Sequence, residues 1–289
     1  MTWLTFLPTV LSVALGSVLG AVPMPLHPAW TSRLLATVAA SAVAAVVGTL
    51  VFVTVNYAAT LFPRDAHRLP EWALFGDDQP VPAVLGIPAI ALTGLCGYTI
   101  LKLARRWVGE VRGAARTSRT IVDSDAPVAL AVPGRGGGVL VSRGLLRVLD
   151  PAQLRVVFQH EASHLRHGHH RYLAVGALAA GTVPLLRGLN ARLRFALERW
   201  ADEEAAEAVG DRSLVARTIA EVALAHSSAS PLPAFADSGV VQRVEALLAT
   251  PPGKNTVTGP VALTGTSLTS GSLTSVAWQI DHALVLPFL

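Results

Sequence analysis

The chain carries a single cysteine, Cys96, set in an apolar run. One cysteine excludes an internal disulfide and a cysteine-rich structural zinc cluster, so Cys96 reads as a small buried hydrophobe. Charge is scarce too. Only 15% of the 289 residues are Asp, Glu, Lys or Arg, and 52% are hydrophobic. Soluble domains hold about a quarter charged residues, so this balance argues against an ordinary soluble protein. Mean hydropathy is +0.49 and the pI about 9.8. With a net charge of only +4, the excess of Lys and Arg suits cytoplasmic loops of a membrane protein, and no direct nucleic-acid binding is expected.

Where charge is missing altogether, the runs are long. Residues 1–32, 34–63 and 79–101 contain no Asp, Glu, Lys or Arg. Each can hold the roughly 20 apolar residues that cross a ~30 Å hydrocarbon core. They predict three transmembrane helices over about 2–22, 34–62 and 81–101. The first run lacks a basic leader and an A-x-A-like site, so it is expected to be retained. Residues 63–80 hold four acids and two arginines, whereas 102–119 hold six basic residues and one acid. Positive residues favour the cytoplasm. The expectation is therefore an outside N-terminus, a cytoplasmic domain over 102–254, and a fourth spanning helix with a tail over 255–289.

Five of the nine histidines fall in one stretch, VFQHEASHLRHGHHRYL at 157–173. Within it, His160-Glu161-Ala162-Ser163-His164 is an HExxH pattern. Positions i and i+4 share a helix face, so two imidazoles can reach one cation while Glu161 lies beside it as general base. The helix has a start signal in LDPAQL: Asp150 at the N-cap, Pro151 at the first turn, Gln153 completing a capping box and Leu149 against Leu154 as a staple. Just upstream, PVALAV and GGVLVS read as a hairpin joined by PGRGGG.

A catalytic zinc needs a third protein ligand. His170 has the spacing of the metzincin third histidine, but His167 stands where that motif needs glycine. Met1 and Met24 are the only methionines, so there is no methionine turn. The better candidate is Glu198, in ALERWADEEAAEAVG, on a helix expected over 191–209. Asp202, four residues on, shares its face and can orient a ligand histidine. Glu203, Glu204 and Glu207 read as solvated charge. His167, His169 and His170 read as a polar cap at the membrane surface with Arg166 and Arg171. His226 and Arg243 are candidate oxyanion donors with stronger structural readings.

Topology adds a requirement. His160, His164 and Glu198 must lie on one side of the membrane, yet the apolar segment at 172–190 separates them. It should be re-entrant or interfacial, with Gly181 and Pro184 as break points.

Together VLVSRGLL, LDPAQL, HEASH and ERWAD resemble the BlaR/MecR-type membrane metallopeptidases and, more distantly, HtpX and the Ste-type CAAX proteases. The resemblance spans roughly residues 81–250. It implies a mainly α, multi-pass membrane protein with a small α+β gluzincin-like domain on the cytoplasmic side. It implies one zinc per chain held by His160, His164 and Glu198, with Glu161 catalytic, Asp202 behind the ligands, and an edge strand at Val139, Leu140, Val141 and Ser142 holding the substrate backbone. About 35 residues follow Lys254, too few for a penicillin-binding sensor domain, so no β-lactam signal is expected. The implied partners are the lipid bilayer and a protein or peptide substrate, for example a BlaI-like repressor. Two alternatives are HtpX-like quality control of membrane proteins and a non-catalytic metal-binding scaffold or sensor.

Overall fold

The computed structural model describes residues 6–62, 81–115, 121–134, 137–229 and 238–267. Three apolar helices come first. Helix α1 spans Leu7–Ala21, α2 Pro28–Leu61 and α3 Ala83–Ala115. Two of them, over Pro28–Leu61 and Ala83–Gly109, are long and apolar enough to cross a membrane by length and composition. The protein itself buries only 17% of the α3 window, and Val84, Ile87, Leu95 and Tyr98 stand exposed along it. An apolar helix with so little protein cover suits a lipid surround.

The three helices run up and down. Thr9 Oγ1 of α1 lies 2.8 Å from Thr49 Oγ1 of α2. On the other side, Thr54 of α2 meets Thr93 of α3 at 3.0 Å, and the Tyr57 ring covers Gly86 so closely that an added Cβ would lie 2.1 Å from it. Helix α1 is shorter than the expected 2–22 span, and residues 1–5 lie outside the described set. Helix α3 does not stop at 101. It continues through Lys102, Arg105 and Arg106, because that basic stretch is itself composed of good helix formers.

A three-stranded sheet follows, with β1 at Ile121–Val122, β2 at Ala129–Val132 and β3 at Gly138–Ser142. The order is β1-β3-β2, so β3 is the inner strand. It is antiparallel to β2 and parallel to β1 at Val141 and Ser142. Ser142 then turns the chain into helix α4, Arg143–Val148. Its Oγ accepts from Leu145 N at 3.1 Å and Val128 N at 2.9 Å and donates to Ala126 O at 2.7 Å.

Helix α5, Pro151–Arg166, begins with the expected capping box: Asp150 Oδ1 accepts from Gln153 N, and Gln153 Oε1 accepts from Asp150 N. Gly168 sits in the left-handed region at φ +62° and reverses the chain into α6, His169–Thr182. Helix α6 ends at a bend, Val183 with a 3-10 turn at Pro184–Leu186, and α7 runs back over Arg187–Val209. The bend makes an antiparallel hairpin, with Gly176 lying against Asn190 and Leu193. Pro184 opens the 3-10 turn, while Gly181 sits within α6, one turn before the bend, packed on Thr99 and Leu103 of α3.

The hairpin is built into the helical core. Ala179, Val183, Leu186, Leu189, Leu193 and Leu197 pack with Leu34, Leu35, Val38, Ala39 and Ala42 of α2. Burying a leucine fully stabilises by about 2 kcal/mol, and Leu35, Leu186, Leu189, Leu193 and Leu197 are all fully buried here. Helices α8, Arg212–Ala229, and α9, Ser238–Leu248, close a second core with Val156 of α5 and Ala205 and Ala206 of α7. Arg212 caps the end of α9, donating to Leu247 O at 2.9 Å and Ala246 O at 3.0 Å. Within the segment where a fourth span is expected, residues 258–267 are helical and residues 268–289 lie outside the described set.

Candidate metal centre

Two helices supply the donor atoms of the centre. Helix α5 brings His160, Glu161 and His164 on successive turns, and α7 returns from the bend with Glu198 and Asp202. One donor atom from each of His160, His164 and Glu198 lies within 4.8 Å of the others. His160 Nε2 is 3.2 Å from His164 Nε2 and 3.4 Å from Glu198 Oε2, and His164 Nε2 is 3.5 Å from Glu198 Oε1. Two imidazoles and one carboxylate meeting at their donor atoms fit zinc, leaving a coordination position for water or substrate.

Behind the donors stand further polar groups. Asp202, fully buried, sets Oδ1 3.1 Å from His160 Nδ1. Arg243 of α9 grips the same carboxylate, Nε to Oδ2 and Nη2 to Oδ1, at 2.7 Å each. Its Nη1 also lies 3.2 Å from Glu198 Oε2. Arg243 thus serves the Glu198 and Asp202 carboxylates together. The His226 side chain lies outside the described residues.

The electrostatics follow from burial and pairing. Burial alone would lower the pKa of His160, but hydrogen bonds to Asp202 and Glu198 outweigh it and raise it to about 10. Burial and the neighbouring His160 lower His164 to about 4. Burial opposes the ionisation of Glu198 and Asp202, yet His160 and Arg243 hold both below the usual carboxylate range. Without a metal, His160 is therefore the cation between two carboxylates. Burial raises Glu161, and the charge of Glu198 adds to this; His160 and the Ala131 backbone N–H act in the other direction. A raised carboxylate pKa suits a group that must take up and release a proton near neutrality.

Glu161, His160 and Glu198 line a cavity of about 680 Å³. Its other walls are mostly apolar: Val128 and Ala129, Val156 and Val157, then Val215, Ile219, Val240 and Val244 of α8 and α9.

Several expectations are corrected. Val139, Leu140, Val141 and Ser142 form the inner strand β3, not the sheet edge beside the centre. The edge there is β2, whose Ala131 N–H meets the Glu161 carboxylate. Strand order depends on which distant segments pair, and β1 occupies the far side. His169 is no surface group: it is fully buried, with Nδ1 2.9 Å from His164 Nδ1. His167 packs on the Trp200 ring and pairs with Glu204, which also accepts from Arg166 at 3.0 Å and Trp200 Nε1 at 3.1 Å. His170 stacks on Trp107 with centroids 6.3 Å apart. Glu203 is buried between Arg199 and Arg212. Of the three glutamates read as solvated, Glu207 is exposed, paired with Lys254 at 3.1 Å.

The family signal lies over the same region. Residues 108–191 match Peptidase family M48, a stretch that includes His160, Glu161 and His164 and stops short of Glu198.

Two curated relatives are similar over the same kind of length. A "Protease HtpX homolog" of Thermoplasma acidophilum is 41% identical over 68 residues, covering 23% of this chain and 20% of that protein. A second "Protease HtpX homolog", of Acidiphilium cryptum, is 38% identical over 72 residues, covering 24% and 25%. The chain thus spans a quarter or less of the relatives it matches. No solved structure matches it.

Proposed function

We propose that the chain is an integral membrane zinc endopeptidase that cleaves protein substrates at the cytoplasmic membrane face. The observation that carries this is the meeting of His160, His164 and Glu198 beside Glu161, with His160, Glu161 and Glu198 lining one cavity. His160, His164 and Glu198 would hold the zinc, with Asp202 and Arg243 fixing two of them. When bound, zinc supplies a Lewis acid for the scissile carbonyl and for water. Glu161 takes the proton of the attacking water and passes it to the leaving amine. Strand β2 offers the substrate backbone an edge to pair with, and the apolar cavity beside it suits an apolar substrate side chain.

Orientation follows from charge. The ends of α2 and α3 nearest the centre carry Arg33, Lys102, Arg105 and Arg106, whereas the acid-rich segment 63–80 lies between their other ends in the sequence. This supports a cytoplasmic centre. Gly181 meets α3 at Thr99 and Leu103, where that helix changes from apolar to basic. The hairpin is therefore read as interfacial. Its bend, with Leu185 71% exposed, touches the inner lipid boundary, and both arms stay on the cytoplasmic side.

Two substrate readings share this centre. In one, a BlaI-like repressor is cut once in a signalling pathway. In the other, damaged membrane proteins are cut broadly. The HtpX names of the matched relatives favour the second. The testing experiment measures zinc content and cleavage of casein and of a repressor by purified wild type, Glu161→Gln and Glu198→Ala. Glu161→Gln should keep zinc and lose cleavage by about 10²–10⁴-fold; equal cleavage by both chains would support the non-catalytic scaffold instead. Glu198→Ala should lose zinc affinity. One strict cut would favour the repressor, and many cuts in unfolded chains quality control.

A further inference from the structure

The two histidines of the centre are backed differently. His160 has a carboxylate behind it, Asp202. His164 has another histidine. His169 Nδ1 lies 2.9 Å from His164 Nδ1, with the rings at 89° and their centroids 4.7 Å apart. His164 Nε2 faces the other way, toward His160 Nε2 and Glu198 Oε1.

The local fold is arranged to make this contact. Gly168, at φ +62°, takes a backbone conformation that a side chain disfavours, and so turns His169, the first residue of α6, back over α5. Trp200 of α7 packs on the His169 ring at 4.8 Å, Tyr172 meets it at 6.4 Å, and His167 stacks at 5.9 Å. The ring is fully buried, and its Nε2 has no hydrogen-bond partner among the described residues. Burying an unpaired ring nitrogen is unfavourable. A phenylalanine or leucine would fill the same space without that cost, so the polar Nδ1 is the reason for a histidine.

We propose that His169 is the positioning residue for His164: its Nδ1 accepts the Nδ1–H of His164 and holds that imidazole with Nε2 aimed at the metal position. A neutral histidine that ligates through Nε2 keeps its proton on Nδ1, and a ligand histidine ordinarily gives that proton to a carboxylate, carbonyl or water. Here an uncharged imidazole takes the acceptor role. The centre thus has one ligand histidine backed by an anion and one backed by a neutral ring. The proposal rests on the zinc reading above.

The test is zinc affinity by chelator competition, with unfolding of the metal-free protein measured alongside. His169→Phe should bind zinc 10–100-fold more weakly while the metal-free protein unfolds as wild type does. His169→Asn, which restores an acceptor, should recover most of the affinity, and the visible spectrum of the cobalt-loaded protein should change in Phe and return in Asn. Wild-type affinity in His169→Phe overturns the role. Should His169→Phe not fold, nitrogen NMR of the zinc-loaded wild type decides. A proton on His164 Nδ1 coupled to His169 Nδ1 supports the assignment, and an unprotonated His164 Nδ1 overturns it. A wild type that takes up no zinc removes the metallopeptidase reading itself. Zinc bound equally by wild type and His169→Phe removes only the role of His169.

Discussion

Asp202 Oδ1 lies 3.1 Å from His160 Nδ1 while Arg243 holds both oxygens of the same carboxylate at 2.7 Å. One buried anion therefore serves His160 on α5 and a guanidinium on α9. Replacing Asp202 by Ala should weaken zinc binding about 10–100-fold, as losing the partner behind a ligand histidine does. It also removes one of the carboxylates that Arg243 holds, leaving Glu198 at 3.2 Å, which costs about 1–3 kcal/mol. Chelator competition and thermal unfolding of wild type and Asp202→Ala check both. Unchanged zinc affinity would remove Asp202 from the centre.

Zinc affinity should depend on pH with a definite sign. In the metal-free protein His160 is raised to about 10 and His164 lowered to about 4. At neutral pH His160 therefore holds a proton that zinc must displace, while His164 is already neutral. Affinity should climb about tenfold per pH unit from pH 6.5 to 8.5, with close to one proton released per zinc from the protein. Calorimetry in buffers of different ionisation enthalpy reads that proton. A flat profile would contradict the charge on His160.

The substrate edge is testable at Ala131. Its N–H meets Glu161, and β2 is an edge strand. Proline is tolerated at strand edges where the N–H is not part of the ladder. Ala131→Pro should therefore fold and keep zinc, but cleave peptides at least about tenfold more slowly, since one main-chain hydrogen bond at a reacting site is worth that much or more. Full activity would show that neither Glu161 nor the substrate depends on the Ala131 N–H.

Gly20 marks where α1 meets the start of α7. A Cβ there would lie 2.5 Å from Leu189 N and 2.9 Å from Gly188 C. These are backbone atoms and cannot step aside. Gly20→Val should destabilise by about 1–3 kcal/mol through overpacking, read as a lower unfolding temperature in detergent. Gly48, with nothing within 4 Å of its added Cβ, is the matched control.

What could be read from the sequence was local. The capping box at Asp150 and Gln153 lies within four residues, and the i,i+4 spacing of His160 and His164 needs only a helix. The return of the chain before Glu198 could be argued because one metal cannot be reached from two sides of a membrane. What could not be read depends on distant pairing. His169 sits in HHRYL beside arginines and looks like surface; only the packing of Trp200, from the far arm of the hairpin, buries it. The position of β3 between two strands turns on β1, a strand of two residues. The charge on Glu203 looked solvated until α8 supplied Arg212.

The hairpin also sets an order in time. His160, Glu161 and His164 are synthesised before the bend at Val183–Leu186, and Glu198 and Asp202 after it. Arg243 emerges later still, on α9. A nascent chain halted before the bend carries two histidines and a base but no third ligand. The third member of the His160, His164 and Glu198 cluster, and the arginine that fixes it, thus join the centre only after the bend and α9 have been made, so the centre cannot assemble from an unfinished chain.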